Sequence, residues 1–419
     1  MTLLLRGVRV LEGPGQPLRR ADVRLVDGRL EGLTAAEPEG GGDASGGDGL
    51  QAPADWLLAP LLVDPHSHLE EPWHGRAETL ASLASEVAAA GYGTVALLPR
   101  AADWRDRPER LHLSWPAPLQ LKLWGALCRD GGDETLAPHG DLLQAGALGL
   151  AHGTDLPPLP LLERALLAGE AEQCPWLLAP RQGSLCQGGF VRDGVETLRL
   201  GWPADPAVSE TMPLRLLLAL AERLPGLRLM NLSTAEGIAL LEAANPRPLA
   251  SICWWHLLQD SGRLDPLAEG WRLEPSLGTP ADRQGLRQAL RRGLLAAVAV
   301  QHTPLDAEEQ LLPLDQRRAG VAGYQAVLPA LWASLVDQDG WSVEELWQAL
   351  SWGPSQFLGL EPERLLPGSD RWLLWDPQAA PIERPGTLAA NRPLAMAGLR
   401  GALRAAGTLP PHQWQLDLP

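Results

Sequence analysis

Lysine is almost missing from this 419-residue chain. Lys122 is the one example, and every other basic residue is arginine. Chemistry that needs a lysine ammonium or a carboxylated lysine therefore has one place to sit. Phenylalanine and tyrosine are nearly as scarce, two of each against 17 tryptophans, a bias of the kind GC-rich coding imposes. Positive charge is short overall. The formal net charge is −16 and no Lys/Arg cluster occurs, so a nucleic-acid partner, which needs a basic patch to release counterions, is not expected. No run of about 20 apolar residues is present, so no membrane-spanning helix is expected. The four cysteines, Cys128, Cys174, Cys186 and Cys253, have the spacing of neither a zinc site nor a disulfide framework. They read as reduced thiols of a cytoplasmic protein. The first residues also lack the charged segment, apolar stretch and cleavage site of a secretory signal. No G-x-G-x-x-G follows an early strand, which disfavours a dinucleotide-binding fold.

What is present organises into two kinds of segment. Residues 3–11 and 21–33 read as short strands, with Asp27-Gly28 as a tight-turn signal between halves of a hairpin. Residues 37–50 are polar and glycine-rich and read as a flexible loop. From residue 56 the character changes. Eight short apolar runs, 56–63, 94–98, 119–127, 147–151, 175–179, 227–232, 249–255 and 296–300, alternate with amphipathic segments, clearest at 77–90, 213–224, 234–244 and 282–295. Continuous apolar runs joined by helices imply a parallel sheet buried on both faces, and eight units imply a closed barrel. A further helix is expected over 342–352, and residues 371–375 return to strand. The expected architecture is α/β: a (β/α)8 barrel over 56–366, with a small β-sandwich domain built from 1–55 and 367–419.

Barrel proteins place their chemistry at the C-terminal ends of the strands, because the loops there share one mouth. The first run ends in Asp64-Pro65-His66-Ser67-His68-Leu69-Glu70-Glu71-Pro72. Two histidines at i and i+2 of a strand point to the same side, so both imidazoles could reach one metal. This pattern resembles the signature of the dihydroorotase and allantoinase branch of the amidohydrolases. The resemblance runs nearly the whole length. It takes in residues 145–149, the Leu232-Ser233-Thr234 turn, His302-Thr303-Pro304, the 320–323 glycine segment and Asn391-Arg392-Pro393. It implies an amidohydrolase barrel in which metal-bound hydroxide opens a cyclic amide, the metal lowering the pKa of its water.

Several residues depart from what the resemblance implies. The bridging lysine is absent after Gly149, and Asp155 is the one carboxylate nearby. Ala179 and Asn231 stand where two further histidines belong, and Gln301 stands at the position of the ligand and general base. A glutamine amide cannot take a proton from water at neutral pH. In the substrate pocket, expected to involve Glu70, Arg100, Glu274 and His302, Glu70 replaces an arginine, while Arg100 and Glu274 replace asparagines. His66, His68 and Asp155 would suffice for one zinc but not for two.

The expectation is a dihydroorotase-like homologue of pyrimidine biosynthesis with no intact catalytic residue, doubtful zinc, and homo-oligomeric assembly. The resemblance implies aspartate transcarbamoylase as a partner it could support. The alternatives are an active hydrolase with a single zinc, gripping its substrate through Arg100 with Glu70 or Glu274 as base, and a ligand sensor without turnover. His256 reads as structural packing, His74 and His152 as surface or loop residues, and Ser233 as no nucleophile.

Overall fold

The computed structural model describes residues 2–35, 49–132, 134–169, 174–263 and 272–416. Its barrel strands are Leu62–Ser67, Tyr92–Leu97, Gln120–Leu123 continued by Gly125–Ala126, Leu150–Ala151, Trp176–Leu178, Leu227–Leu229, Leu249–Cys253 and Ala297–Ala299. Each pairs parallel with its neighbour. Hydrogen bonds close the ring between last and first strands: Val300 N donates to Asp64 Oδ1 at 2.9 Å and His68 N to the His302 carbonyl at 2.8 Å. All eight apolar runs thus carry a barrel strand. The interior is filled by Val63, Ala96, Trp124, Leu177, Met230 and Ala297, with Phe357 rising from the helix Gly353–Leu358. A larger apolar layer lies between strands and helices.

The run at 56–63 is cut in two. Leu57–Pro60 joins the sheet made by the chain ends, and only Leu62–Ser67 enters the barrel. Pro60 offers no amide hydrogen to prolong a ladder, and the chain changes sheet at Leu61. The end sheet runs Ala402–Ala406, Trp372–Asp376, Leu57–Pro60, Thr2–Val10, Arg19–Val26, Arg29–Ala35. Both chain ends therefore build one small β-domain around Leu5, Val10, Val23, Trp56, Trp372 and Leu374. Its hairpin turns at Asp27-Gly28, whose φ values of 48° and 81° are the pair that a primed two-residue turn requires. Most of the loop expected over 37–50 lies outside the described residues; Leu50–Gln51 is strand, parallel to Thr2–Val10.

Helix starts follow their caps. Thr79, Thr234, Thr279 and Ser342 each accept a first-turn amide, ahead of Leu80–Ala89, Ala235–Ala243, Pro280–Arg291 and Val343–Trp347. The helix expected from 213 begins instead at Val208 and runs to Leu220, with Pro213 inside it. Tertiary bonds hold the extra turn. Glu210, 1% exposed, accepts the backbone and hydroxyl hydrogens of both Ser233 and Thr234 and pairs with Arg192 at 3.3 Å. Arg192 also pairs with buried Asp205 at 3.1 Å, and Ser209 Oγ donates to Asp205. None of the described helices is long and apolar enough to cross a membrane. No disulfide joins any of the four cysteines.

Because Glu210 braces the turn that follows the sixth strand, E210A removes one of the two carboxylates that face Arg192 and leaves four donors without their acceptor. Its expected cost is about 3–5 kcal/mol, the usual loss when one partner of a buried pair is removed. A urea denaturation midpoint compared with wild type measures it, and a shift worth under about 1 kcal/mol would show the brace to be dispensable.

Candidate functional site at the barrel mouth

The first strand delivers His66, fully buried, and His68, 8% exposed. Between them stands the side chain of Gln301, from the end of the eighth strand. His66 Nδ1 lies 2.6 Å from Gln301 Oε1, and Gln301 Nε2 lies 3.4 Å from His68 Nε2. A carboxamide oxygen only accepts and its nitrogen only donates, so this contact assigns the tautomers. His66 carries its proton on Nδ1 and gives it to Gln301. His68 offers the Nε2 lone pair to the Gln301 amide. The remaining nitrogen of His66, Nε2, lies 2.8 Å from Ser251 Oγ on the seventh strand and accepts its hydroxyl hydrogen. Both rings are held neutral. Burial lowers His66 to about 4. His68 falls to about 3, through burial first and then the positive charges of Arg100 and Arg105.

The resemblance implies a metal-dependent site, so the donor set is set against what zinc requires. A zinc ligand must present a free lone pair, and a catalytic zinc takes three protein ligands. The accepting nitrogen of His66 is taken by Ser251 and that of His68 by Gln301. Among the described residues no three His, Cys, Asp or Glu side chains converge as a metal would require. Buried Arg105, whose NH1 and NH2 donate to the carbonyls of Leu98 and Leu69 at 2.5 and 3.3 Å, adds a fixed positive charge beside the pair. The residues do not fit the metal.

Asp155, expected as the third ligand, is elsewhere. It pairs with Arg181 at 2.5 Å and lines a neighbouring cavity that neither His66 nor His68 touches. The loop that carries it turns it toward the arginine that follows Ala179. Of the four expected pocket residues, three line the mouth, a cavity of about 480 Å³ shared with His68, Trp104, Thr154, Arg272 and Gln301. Glu70 pairs with Arg318 at 2.9 Å. Glu274 accepts from Thr154 at 2.7 Å and faces Arg181 at 3.4 Å. Arg100 is exposed on the rim. The fourth, His302, is not in the lining. It is fully buried behind it, donating from Nε2 to Glu78 at 3.1 Å and accepting the Gly323 amide on Nδ1 at 3.1 Å. Its part is to fasten the eighth strand end to the helix side of the barrel.

The backbone at the mouth is itself distinctive. Asn231 and Gln301, at the ends of the sixth and eighth strands, adopt φ of 53° and 52°. Left-handed backbone at such non-glycine positions costs roughly 1–3 kcal/mol each and persists only where the surroundings impose it. Asn391 imposes part of it, donating to the carbonyls of Thr303 and Gly320 and accepting the Leu305 amide. Ser251 and Arg272 are site residues that sequence reasoning missed. A lone serine within the apolar 249–255 run signals a buried partner; nothing around Arg272 marks it.

His152 follows the fourth strand in a loop, as expected, but it is buried. His256 is buried too, its Nε2 facing the carbonyls of Pro275 and Ser276 at 3.1 and 3.3 Å. Lys122 lies within the third strand and does not line the mouth.

No family model matches the chain. Relatives do. It is 32% identical over 396 residues to a probable dihydroorotase-like protein of Synechocystis sp., covering 83% of this chain and 87% of that one. It is 29% identical to a dihydroorotase-like protein of Pseudomonas aeruginosa, covering 91% and 92%, and 27% identical to a dihydroorotase of Thermus aquaticus, covering 92% of both. Among solved structures it resembles an L-hydantoinase of Arthrobacter aurescens (TM-score 0.73, 16% identity, covering 96% and 94%) and a D-hydantoinase of a Thermus species (TM-score 0.74, 17% identity, covering 97% and 94%). The fold and the strand-end residues thus define an amidohydrolase-type barrel. Within that class the chain belongs to the dihydroorotase-like family of cyclic amidohydrolases.

Burial lowers His256 from an ordinary 6.5 to about 4. A lowered folded pKa means the unfolded chain binds more protons, so its stabilisation is complete above pH 6.5 and is lost as pH falls toward 4. The gap is worth roughly 3 kcal/mol at 1.36 kcal/mol per pH unit. The difference in unfolding free energy between wild type and H256Q should therefore shrink by about that amount from pH 7 to pH 4. A pH-independent difference rules out this role for His256.

Proposed function

We propose that this chain is a non-catalytic dihydroorotase-like protein, a cytoplasmic barrel kept as a folded platform after its hydrolytic centre was dismantled. One observation carries the reading: the lone pairs of His66 and His68 are consumed by Ser251 and Gln301. Three others support it. Gln301 is an amide at the family's base position and cannot accept a proton from water at neutral pH. Glu70 stands where the resemblance implies an arginine, and is engaged by Arg318. Asp155, the remaining candidate ligand, is engaged by Arg181. Binding and activation of water each contribute orders of magnitude to hydrolysis, so losing both extinguishes it.

The family resemblance supports one partner for such a platform. We propose that homo-oligomers of this chain associate with aspartate transcarbamoylase, supporting its assembly rather than supplying a second active site.

After equilibration with zinc and desalting, elemental analysis should find well below one metal per chain, and dihydroorotate should open no faster than in buffer. Stoichiometric zinc that disappears in the H66A/H68A double variant, together with turnover, would establish instead an active mononuclear hydrolase. The partner is tested apart from this. Mixing with the transcarbamoylase of the same organism should give a larger species by light scattering after size exclusion. Two separate peaks would remove the partner and leave the non-catalytic reading in place.

A further inference from the structure

The mouth holds more positive charge than its own carboxylates engage. Arg181 is committed to Asp155 and Glu274, and Arg318 to Glu70 and, at 2.7 Å, to Glu309. Arg100 and Arg272 line the same cavity, and among the described residues neither has a carboxylate within ion-pair distance. Arg272 is nonetheless held in place. Its guanidinium lies 4.8 Å over the Phe190 ring, and its Nε donates to the Arg317 carbonyl at 3.2 Å. One end of the fork, NH1, is buried and has no hydrogen-bond partner among the described residues.

A second unsatisfied donor lies deeper. Asn231 is 2% exposed, and its buried Nδ2 has no partner among the described residues. It lines a small recess that shares Thr154, Glu274 and Gln301 with the mouth. Native structures leave few buried donors unpaired, and each is costly, so one at the mouth and one in the adjoining recess point to an acceptor that arrives from outside. Planar guanidinium forks match carboxylate and phosphate oxygens. Two guanidiniums with no ion-pair partner among the described residues match a dianion better than a monoanion, although Glu274 and Asp315 offset part of the charge of Arg272. The cavity volume of about 480 Å³ suits a small molecule rather than a chain segment.

We propose that the barrel mouth binds a small divalent oxyanion, a phosphoryl group or a dicarboxylate, gripped by Arg100 and Arg272, with Asn231 donating to an acceptor deeper in the same ligand. The grip uses guanidiniums and amides and needs no metal. It goes beyond the loss of hydrolysis and does not depend on it. Glu70 and Glu274 share the cavity, but each already faces an arginine, so their charges are partly offset before the ligand enters.

The test is thermal unfolding of the full chain with inorganic phosphate, malonate or acetate, at an ionic strength held constant with sodium chloride. A ligand that binds only the folded state raises the melting temperature in a saturable way. Phosphate or malonate should do so and acetate should not; which dianion is stronger tells phosphoryl from dicarboxylate. R100Q alters an exposed side chain and should fold normally while weakening the response about tenfold or more, the scale of a charge-assisted bond. R272Q and N231A should weaken it too. No saturable shift with either dianion, an equal shift with acetate, or an undiminished response in R100Q would overturn the proposal. Zinc content and dihydroorotate turnover, measured on the same sample, report separately on catalysis.

Discussion

The mouth of this barrel is organised by one carboxamide. Gln301 sits between His66 and His68, accepting from one ring and donating to the other. A carboxylate at that place would accept from both sides and would leave each imidazole free to turn its other nitrogen toward a cation. The amide has one accepting and one donating end, and that polarity propagates. His66 must carry its proton on Nδ1, so Nε2 must accept, and Ser251 satisfies it. His68 must accept on Nε2. The site is buried, where an unpaired polar atom is expensive, so each member holds its neighbour in one protonation state. A metal would have to break both contacts at once.

The frame that presents these side chains does not depend on the mouth. Asp64, buried and pushed up to about 6 by desolvation, accepts from Ser67 at 2.5 Å, Tyr324 at 2.7 Å and the Val300 amide, and so ties the first strand to the eighth. Glu86 accepts the amides of Tyr324 and Gln325 from below. Glu210 braces the sixth strand's turn, and Asn391 the loop after the eighth. These groups lie outside the lining, at whose strand ends Asn231 and Gln301 keep left-handed backbone. The physical separation of frame from lining lets residues at the mouth differ without disturbing the barrel that presents them.

The same separation explains what could be read from the chain. Strands buried on both faces announce themselves as apolar runs, so all eight were legible, and Asp27-Gly28 marked the end-domain hairpin. The one misread strand, 56–63, serves two sheets, and only the neighbouring strand Trp372–Asp376 reveals the division. Pro213 looked like a helix start because local preference was all that could be weighed; the buried Arg192, Asp205 and Glu210 group overrides it. His66 and His68 were legible because they are two apart on one strand. Asp155 and His302 were misplaced for the opposite reason: a side chain's direction in a loop, or behind a wall, depends on distant partners such as Arg181 and Glu78. Arg272 could not be seen at all, since its place rests on Phe190 and Arg317, both remote in sequence.

Charge completes the picture. A hydrolytic metal centre is a cation cradle, and its surroundings must carry negative potential to hold it. Here the first two strands place Arg105 in the interior with only carbonyl partners, and its own pKa is lowered to about 10 by burial. Arg100 stands on the rim, and both arginines press His68 further from protonation. Against the residues that the resemblance implies, the amide at 301 and the arginine at 100 make the mouth more positive, whereas Glu274, in place of an asparagine, makes it more negative and faces Arg181 at 3.4 Å. Glu70 adds negative charge as well, but Arg318 engages it on the rim. Restoring an aspartate at 301 alone would return one ligand to a site whose fixed charges oppose a divalent cation. The fixed charge around His68 is thus set by arginines, and it opposes an added proton and a metal cation for the same reason.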